Sequence, residues 1–526
     1  MNFKILMNAI FAAALIVAGC SSDDGGDAGD GGSAGDGGSA GNGGTGGDGG
    51  MGGDGGMGGT VPIVPKTCDD VPQGVTGYII EDAPPTATDD CDITLNPTGD
   101  NDQAQIINAL VDNDLTDGTL CLGVGVWDMG GTIGITDDPG LTLKGIGDSP
   151  DAVVLDFADE NFDCRGIKGI SAGVDNVTIE NLWVKNTCEN GIEQRDVDGS
   201  VMRKVMVSWD DRCEGDRARE NCGQACTADA QCGDPLLVCG DDGTCVNNMT
   251  ANGAYGVYPT DCSNTTVEYS QVQGASDAGI YIGKCTGGMV ENNIVYENVA
   301  GLEVENCVGV DASNNTAFDN TGGVFALQQD IEETDMQSNT DVRLFDNESY
   351  CNNHPNFAKA GSAVSGIPVG SGILNLAGDG VEVFGNIVTD NLTLGVGMAS
   401  NVLFCQLAGG GAASGDCPPY SEGYDPYVKN YYIHDNLFTN NGTDPQGDVG
   451  DLLKILGLTP VADVLWDGYK ETPDADAGIC LGTDADAAAS ILVLGDACQD
   501  AASTGDFINC VVENQPTDPD PYLCAP

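Results

Sequence analysis

Three residues able to move a proton or hold a cation close three consecutive apolar runs. Asp196 follows Gly191-Ile192-Glu193-Gln194-Arg195, Asp261 follows Gly256-Val257-Tyr258-Pro259-Thr260, and Lys284 follows Gly279-Ile280-Tyr281-Ile282-Gly283. Asp277 stands just before the Gly of the third run. If the runs are strands, alternation turns Ile192, Val257, Ile280, Leu302 and Val324 inward. Glu193, Tyr258, Tyr281, Glu303 and Phe325 then point outward, with Arg195, Thr260, Gly283, Glu305 and Leu327 beside them. An outward column of rings among carboxylates suits an extended sugar polymer: ring faces stack on pyranose C–H surfaces and carboxylates bond hydroxyls. Glu193, Arg195, Tyr258, Tyr281, Glu303 and Phe325 are therefore the candidate binding residues. Asp196, Asp261, Asp277 and Lys284 are the candidate catalytic ones.

Two chemistries fit those types. Elimination or epimerisation beside a uronate carboxylate needs a base for the α proton and a cation for the carboxylate. Lys284, Arg195 or a Tyr could be the base, and Asp196 and Asp261 could hold Ca²⁺. Hydrolysis needs two or three close carboxylates, one a general acid of raised pKa, and Asp196, Asp261 and Asp277 could serve. Stacked Asp and Lys also arise as a plain surface ion pair, worth little. The chain has only two histidines, His354 and His434, far from the strip in sequence. A His-based triad or His-rich metal site is thus disfavoured. His434 reads as a corner residue. The Asp210-Asp211 pair could bind Ca²⁺, but so acidic a chain produces such pairs by chance.

What positions these residues is a repeat. Gly279, Gly301 and Gly323 open runs 22 residues apart, and Gly256 precedes them by 23. Gly191, Gly372 and Gly395 fit the frame with insertions between. A second column puts Asn293, Asn315, Asn347, Asn386 and Asn436 in one register. Each unit holds short Val/Ile-rich runs broken by Asn, Asp and Gly, which are strands joined by tight turns. One unit cannot bury its own apolar face, so units must stack, each strand pairing with its counterpart about 4.8 Å above. Asn suits a corner because it tolerates the left-handed region and its amide can bond the next Asn. Gly suits a corner that needs positive φ. The period also falls in the leucine-rich-repeat range, but Leu is sparse at the inward positions.

The Asn column, the coil length and the opening Asp102-Gln103-Ala104-Gln105-Ile106-Ile107-Asn108-Ala109-Leu110 resemble right-handed parallel β-helix proteins of the pectate-lyase type. The resemblance implies an all-β, single-stranded right-handed parallel β-helix with coils of about 22 residues, its first coil capped by a short N-terminal helix. Gly118-Thr119-Leu120 and Leu141-Thr142-Leu143-Lys144-Gly145-Ile146-Gly147 resemble its first coils. Gly253-Ala254-Tyr255-Gly256-Val257-Tyr258-Pro259, Gly274-Ala275-Ser276-Asp277-Ala278-Gly279-Ile280-Tyr281 and Asn298-Val299-Ala300-Gly301-Leu302-Glu303-Val304-Glu305-Asn306 are similar to bacterial β-helix-repeat lipoproteins. The likeness runs over roughly residues 100–445.

Two stretches depart from it. Cys213, Cys222, Cys226, Cys232, Cys239 and Cys245 crowd an insertion at 212–248, read as a three-disulfide knob without a core of its own. A zinc site is the rival, without His or paired CxxC spacing to support it. Residues 446–526 lose the repeat and are expected to cap the last coil, with a short helix at Asp451–Leu456. Cys262, Cys285 and Cys307 follow the coil period, so adjacent pairs could bridge. With Cys20 set apart the cysteine count is odd, which leaves at least one thiol free, buried and inert being the favoured fate.

The N-terminus reads as an address. Residues 1–19 form a secretory signal with Lys4 before an apolar run too short to span a bilayer. Ile16-Val17-Ala18-Gly19-Cys20 resembles a bacterial lipobox, which implies acylation of Cys20, and Ser21-Ser22 resembles the outer-membrane sorting pattern. Residues 20–66 form a Gly/Asp-rich tether, since 21 of the 78 glycines fall in 21–60 and no basic residue does. Such a segment buries too little surface to offset its chain entropy. The remaining β-helix spans 67–445. The formal charge of −64 excludes nucleic acid as a partner and leaves the membrane reachable only through the lipid. It would repel a polyanionic glycan unless Ca²⁺ bridges it. The expectation is an exported lipoprotein that binds an extracellular polysaccharide and modifies it by lyase- or epimerase-type chemistry. The alternative is a non-catalytic envelope or adhesion scaffold.

Overall fold

Runs that alternate in sequence alternate in burial. In Val342–Phe345 the inward Val342 and Leu344 are buried while Arg343 is exposed, and Ile133–Ile135, Val153–Asp156 and Val381–Phe384 behave alike, whereas Ala278–Gly283, Ala300–Glu305 and Gly322–Leu327 are buried at every position. The computed structural model describes residues 65–482 except 87–89, 241, 332–337, 403–419, 456 and 473–474, together with 491–493, Tyr522 and Cys524. The signal-like segment, Cys20 and the tether up to residue 64 lie outside the described residues.

The strands form a 20-stranded and an 11-stranded parallel sheet, with a small separate hairpin in the cysteine insertion. A typical coil contributes three strands. Ala278–Gly283 joins the smaller sheet, and Thr286–Glu291 and Ile294–Tyr296 join the larger one. Coils stack in the expected register: Ile192 pairs with Val257, Val257 with Ile280, Ile280 with Leu302, and Leu302 with Val324. Inward residues from every coil merge into one continuous apolar column. The helix Gln103–Asp112 covers its first coil with Ile106 and Ala109 buried. Among the described residues no helix is long and apolar enough to cross a membrane.

The Asn column is a buried ladder. Asn293, Asn315, Asn347 and Asn386 each donate from Nδ2 to Oδ1 of the next, ending on Asn436, at 2.9–3.0 Å. A second ladder runs parallel to it through Asn298, Asn320, Asn352, Asn391 and Asn441 at 2.9–3.1 Å. The left-handed corner is the residue before each rung of the first ladder: Asn292, Asn314, Asp346, Gly385 and Asp435, with φ between 53° and 65°. The Gly column also differs from expectation, for none of its members has positive φ. A Cβ on Gly256 would lie 2.6 Å from the Gly279 carbonyl oxygen, and one on Gly301 2.5 Å from that of Gly323. These glycines allow close approach between coils.

Strand pairing continues past residue 445. The helix Gly447–Ile455 is followed by Val464–Trp466, which pairs with Leu394–Ala399, and by Cys480–Leu481, which pairs with Tyr432–His434. Ile491–Val493 pairs with Val464–Trp466 in turn. These strands are two or three residues long with irregular connections, too short for the period to register. At the other end, residues 66–86 and Asp90 lie lengthwise over the coils. Cys68 is bridged to Cys351, the Tyr78 hydroxyl donates to the Tyr269 carbonyl, and Asp90 pairs with Lys144.

Eight disulfides fall among the described residues. The knob is closed by Cys213–Cys222, Cys226–Cys239 and Cys232–Cys245. Cys262 is bridged to Cys285, and Cys307, one coil further, is a buried free thiol. Such a set fits an exported protein.

Candidate functional site

The strand ends place the charged column on a turn. Asp196, Asp261 and Lys284 have φ of 55°, 52° and 53°, so each occupies the left-handed residue that ends its strand. Their amides bond the coil above: Asp196 N to Thr260 O at 3.3 Å, Asp261 N to Gly283 O at 3.0 Å, Lys284 N to Glu305 O at 2.9 Å. Asp and Asn tolerate this conformation, which is a structural reason for the column independent of chemistry. The stacking brings charges together. Asp261 lies 3.0 Å from Lys284 Nζ and 3.2 Å from Arg195 Nη1, while Asp196 is exposed. Glu193 is buried and receives Lys168 Nζ at 2.6 Å and Asn190 Nδ2 at 2.6 Å. Asp261 is thus already matched by two cations. Among the described residues, no third carboxylate, His or Cys joins Asp196 and Asp261. The one grouping of three possible ligands there is Cys226, Cys232 and Cys245, whose sulfurs are all in disulfides, which removes the zinc reading of the knob.

The expected open ring ladder is covered. Glu193, Tyr258, Tyr281, Glu303 and Phe325 do lie outside the coil lumen and in register, but Tyr281 is 5%, Glu303 2% and Phe325 0% exposed. The chain between Tyr350 and Ser371 folds back over them. Its Phe357, Val364 and Ile367 pack with Tyr255, Tyr258, Tyr281, Phe325 and Leu374 in an apolar cluster separate from the lumen. An insertion carrying that much apolar surface must bury it, and the aromatic strip is the adjacent apolar ground. Tyr255, Tyr258 and Tyr281 pack on one another with ring centroids 4.4–5.1 Å apart. Gly283 lets Tyr281 lie along its own strand, since a Cβ there would collide with the phenol.

Beneath the cover sits a carboxyl cluster that the candidates only partly anticipated. Glu303 and Glu305 project from one strand at alternate positions, and Asp277 approaches from the coil below. The Tyr281 hydroxyl donates to Glu305 Oε1 at 3.1 Å and Gln329 Nε2 to Oε2 at 2.9 Å. Burial raises all three carboxyls. For Asp277, burial and then the Glu305 charge push the pKa up to about 7, against a smaller lowering by the Tyr255 hydroxyl. Burial and then the Glu305 charge hold Glu303 well above the carboxylate range, and the Asp277 charge and a hydrogen bond with Glu305 add to this. Glu305 is raised by burial, opposed by bonds from Glu303, Tyr281 and Gln329 and by the Lys284 charge. Glu303 Oε2 is buried without a conventional donor. The strip can therefore hold acidic protons near neutral pH, with Tyr281 and Gln329 fixing one carboxyl and Lys284 and Arg195 forming a cationic rim.

Asp277 and Glu303 belong to this cluster, Asp261 and Lys284 flank it, and Asp196 stays at the surface. Glu305, Tyr255 and Gln329 were not among the candidates. The outward Glu303/Glu305 spacing was the available signal for the first of them. A second outward ring column, Phe345, Phe384 and His434, stacks at 4.9 and 5.1 Å, with His434 between Glu382 at 3.0 Å and Asp435 at 2.6 Å. Its ring faces are spent on each other.

Residues 165–341 match the family model described as a right handed beta helix region. The fold is a right-handed parallel β-helix. No curated protein matches this β-helix chain. Among solved structures it is similar to the A-module of a mannuronan C-5 epimerase from Azotobacter vinelandii, at 15% identity and TM-score 0.43, covering 74% of this chain and 91% of that one. It is similar to the catalytic unit of an α-1,3-glucanase from Streptomyces thermodiastaticus at 13% identity and TM-score 0.40, covering 78% and 53%. An alginate lyase from Paenibacillus sp. shows 10% identity and TM-score 0.38 over 66% and 94%. At these identities the likeness is one of fold.

Proposed function

We propose that the β-helix binds an extracellular polysaccharide along the outward strip of its smaller sheet and acts on it by acid–base chemistry. The single observation that carries this reading is the concentration, on one patch, of the Asp277, Glu303 and Glu305 carboxyls with three packed tyrosines. A carboxyl near 7 keeps a proton for a leaving-group oxygen at neutral pH and can take one back afterwards. Asp277 fits the acid, and Glu305, oriented by Tyr281 and Gln329, fits the base. For a uronate substrate, Lys284 and Arg195 would neutralise the substrate carboxylate, with Asp261 holding both cations in place. The protein is exported and held at the outer membrane through acylated Cys20 on its tether in this reading. A second reading, a non-catalytic envelope or adhesion scaffold, is favoured by the cover over the strip.

Incubation with a glycan panel, with and without Ca²⁺, tests it. Turnover gives new reducing ends for hydrolysis, ultraviolet-absorbing unsaturated ends for elimination, or altered uronate configuration for epimerisation. Loss of product with Asp277→Asn and Glu305→Gln supports the assignment. Glycan binding without turnover, unchanged by these substitutions, leaves the scaffold reading.

A further inference from the structure

We propose that residues 353–370 form a pH-released cover, closed over the Asp277–Glu303–Glu305 cluster while its carboxyls are neutral and loosened when they ionise. The cover would regulate access to the proposed glycan site, and its biological meaning, though not its movement, rests on that reading. Its two ends are pinned by backbone bonds, His354 N to Asn320 O and Gly370 N to Thr321 O, each at 3.0 Å. Asn353 and Val369 are tied to the next coil through Asp390, Leu392 and Thr393, and between them the segment is held by the apolar contacts of Phe357, Val364 and Ile367 and by Thr250 Oγ1 donating to the Phe357 carbonyl at 2.8 Å. Its internal turns close on themselves, with Ile367 N on Val364 O at 3.1 Å and Asn356 Nδ2 on Val364 O at 3.0 Å. A segment held this way can lift as a unit without breaking strand pairing.

The patch under it has unusual charge accounting. The strip supplies Asp277, Glu303 and Glu305, with Tyr255, Tyr258 and Tyr281 packed among them and the Cys307 thiol behind Glu305. Glu193 and Arg195 lie beyond Tyr258, and Tyr424 approaches from the far side. The cation that faces the cluster is Lys284, which also serves Asp261. From the cover itself come His354, 3.6 Å from Asp319, and Lys359, exposed at its tip. Three carboxylates against one shared cation cannot all ionise under an apolar lid, because each further charge is desolvated and repelled by its neighbours. The sign follows. Groups whose protons are held more tightly in the closed state favour closure at low pH. That preference is lost as pH rises from the ordinary carboxylate range through the raised values, about 7 for Asp277. A shift of that size bounds the Asp277 contribution at about a thousandfold in the closing equilibrium, reduced by relaxation and water entry.

Hydrogen exchange on the full chain, corrected for intrinsic rates and followed by mass spectrometry, reads the cover directly. Between about pH 5 and pH 8, peptides from 355–369 are expected to lose at least about tenfold in protection, while those carrying Asn315 and Asn320 do not change. Ile367→Ala should open the segment at both pH values, and Asp277→Asn with Glu303→Gln should leave only the smaller pH dependence due to Glu305. Equal protection at both pH values in the native chain overturns the proposal, as does an undiminished dependence in the double variant. If the double variant does not fold, the native comparison and Ile367→Ala decide. A pH-dependent cover without glycan turnover removes the catalytic reading and leaves the gate; turnover with pH-independent protection does the reverse.

Discussion

Two buried amides inside this β-helix should respond oppositely to the same substitution. Gln194 points into the lumen, in register with Ala172 and Pro259, and is fully buried. Among the described residues neither its Oε1 nor its Nε2 has a hydrogen-bond partner. Burying an amide unsatisfied costs about 1–3 kcal/mol, so Gln194→Leu should stabilise by a similar ~1–3 kcal/mol if the isobutyl group fits. Asn320 is equally buried but fully engaged. It donates to Val295 O, Phe318 O and Asn352 Oδ1 at 2.9–3.1 Å and accepts from both nitrogens of Asn298 at 3.0 Å. Asn320→Leu strands at least three buried polar groups, and a loss of roughly 3–5 kcal/mol follows after partial relaxation. Because a stacked array need not unfold in one step, thermal melting should be paired with hydrogen exchange localised to each coil. The expected result is a raised melting temperature with tighter exchange around residue 194, and a lowered one with local loosening around 320. If Gln194→Leu destabilises as much as Asn320→Leu, hydrogen-bond satisfaction is not what distinguishes the two sites.

Other consequences follow from the same geometry. Gly279→Ala would place a Cβ 2.8 Å from both Gly301 O and Asn298 Nδ2, so it should cost about 2 kcal/mol or more, read as a lower melting temperature. Burial pushes the Cys307 thiol up to about 12, so it should resist alkylation in the native protein and react at once in denaturant. Lys284→Ala should change stability by less than about 1 kcal/mol, because Asp261 keeps Arg195 at 3.2 Å and the site is part-exposed.

The repeating parts of this molecule were legible because each signal recurs. Gly256, Gly279, Gly301 and Gly323 announce a coil, and Asn293 to Asn436 a corner, with the cysteine knob readable from local composition and the cap helix implied by the resemblance of Asp102 to Leu110 to a β-helix opening. The physical role of the Gly column was not legible, since a close carbonyl and a positive φ both select glycine. The second ladder, Asn298 to Asn441, shares the spacing of the first and was there to be found. The cover was not: nothing in the periodicity of residues 353–370 says which face they fold onto, so Tyr281 and Phe325 read as exposed. For the same reason Glu303 looked like a surface carboxylate, although burial and the Glu305 charge hold its carboxyl well above the usual range. The strands after 445 escaped because runs such as Val464–Trp466 are too short to show a period.

The account depends most on this strip keeping an acidic proton at neutral pH. Potentiometric difference titration of the native chain against Asp277→Asn measures that without any substrate. Between about pH 6 and pH 8 the native protein should release about one proton more than the variant, with the step centred near 7. Superimposable curves over that range, with the missing proton appearing near the ordinary carboxylate value, would contradict it.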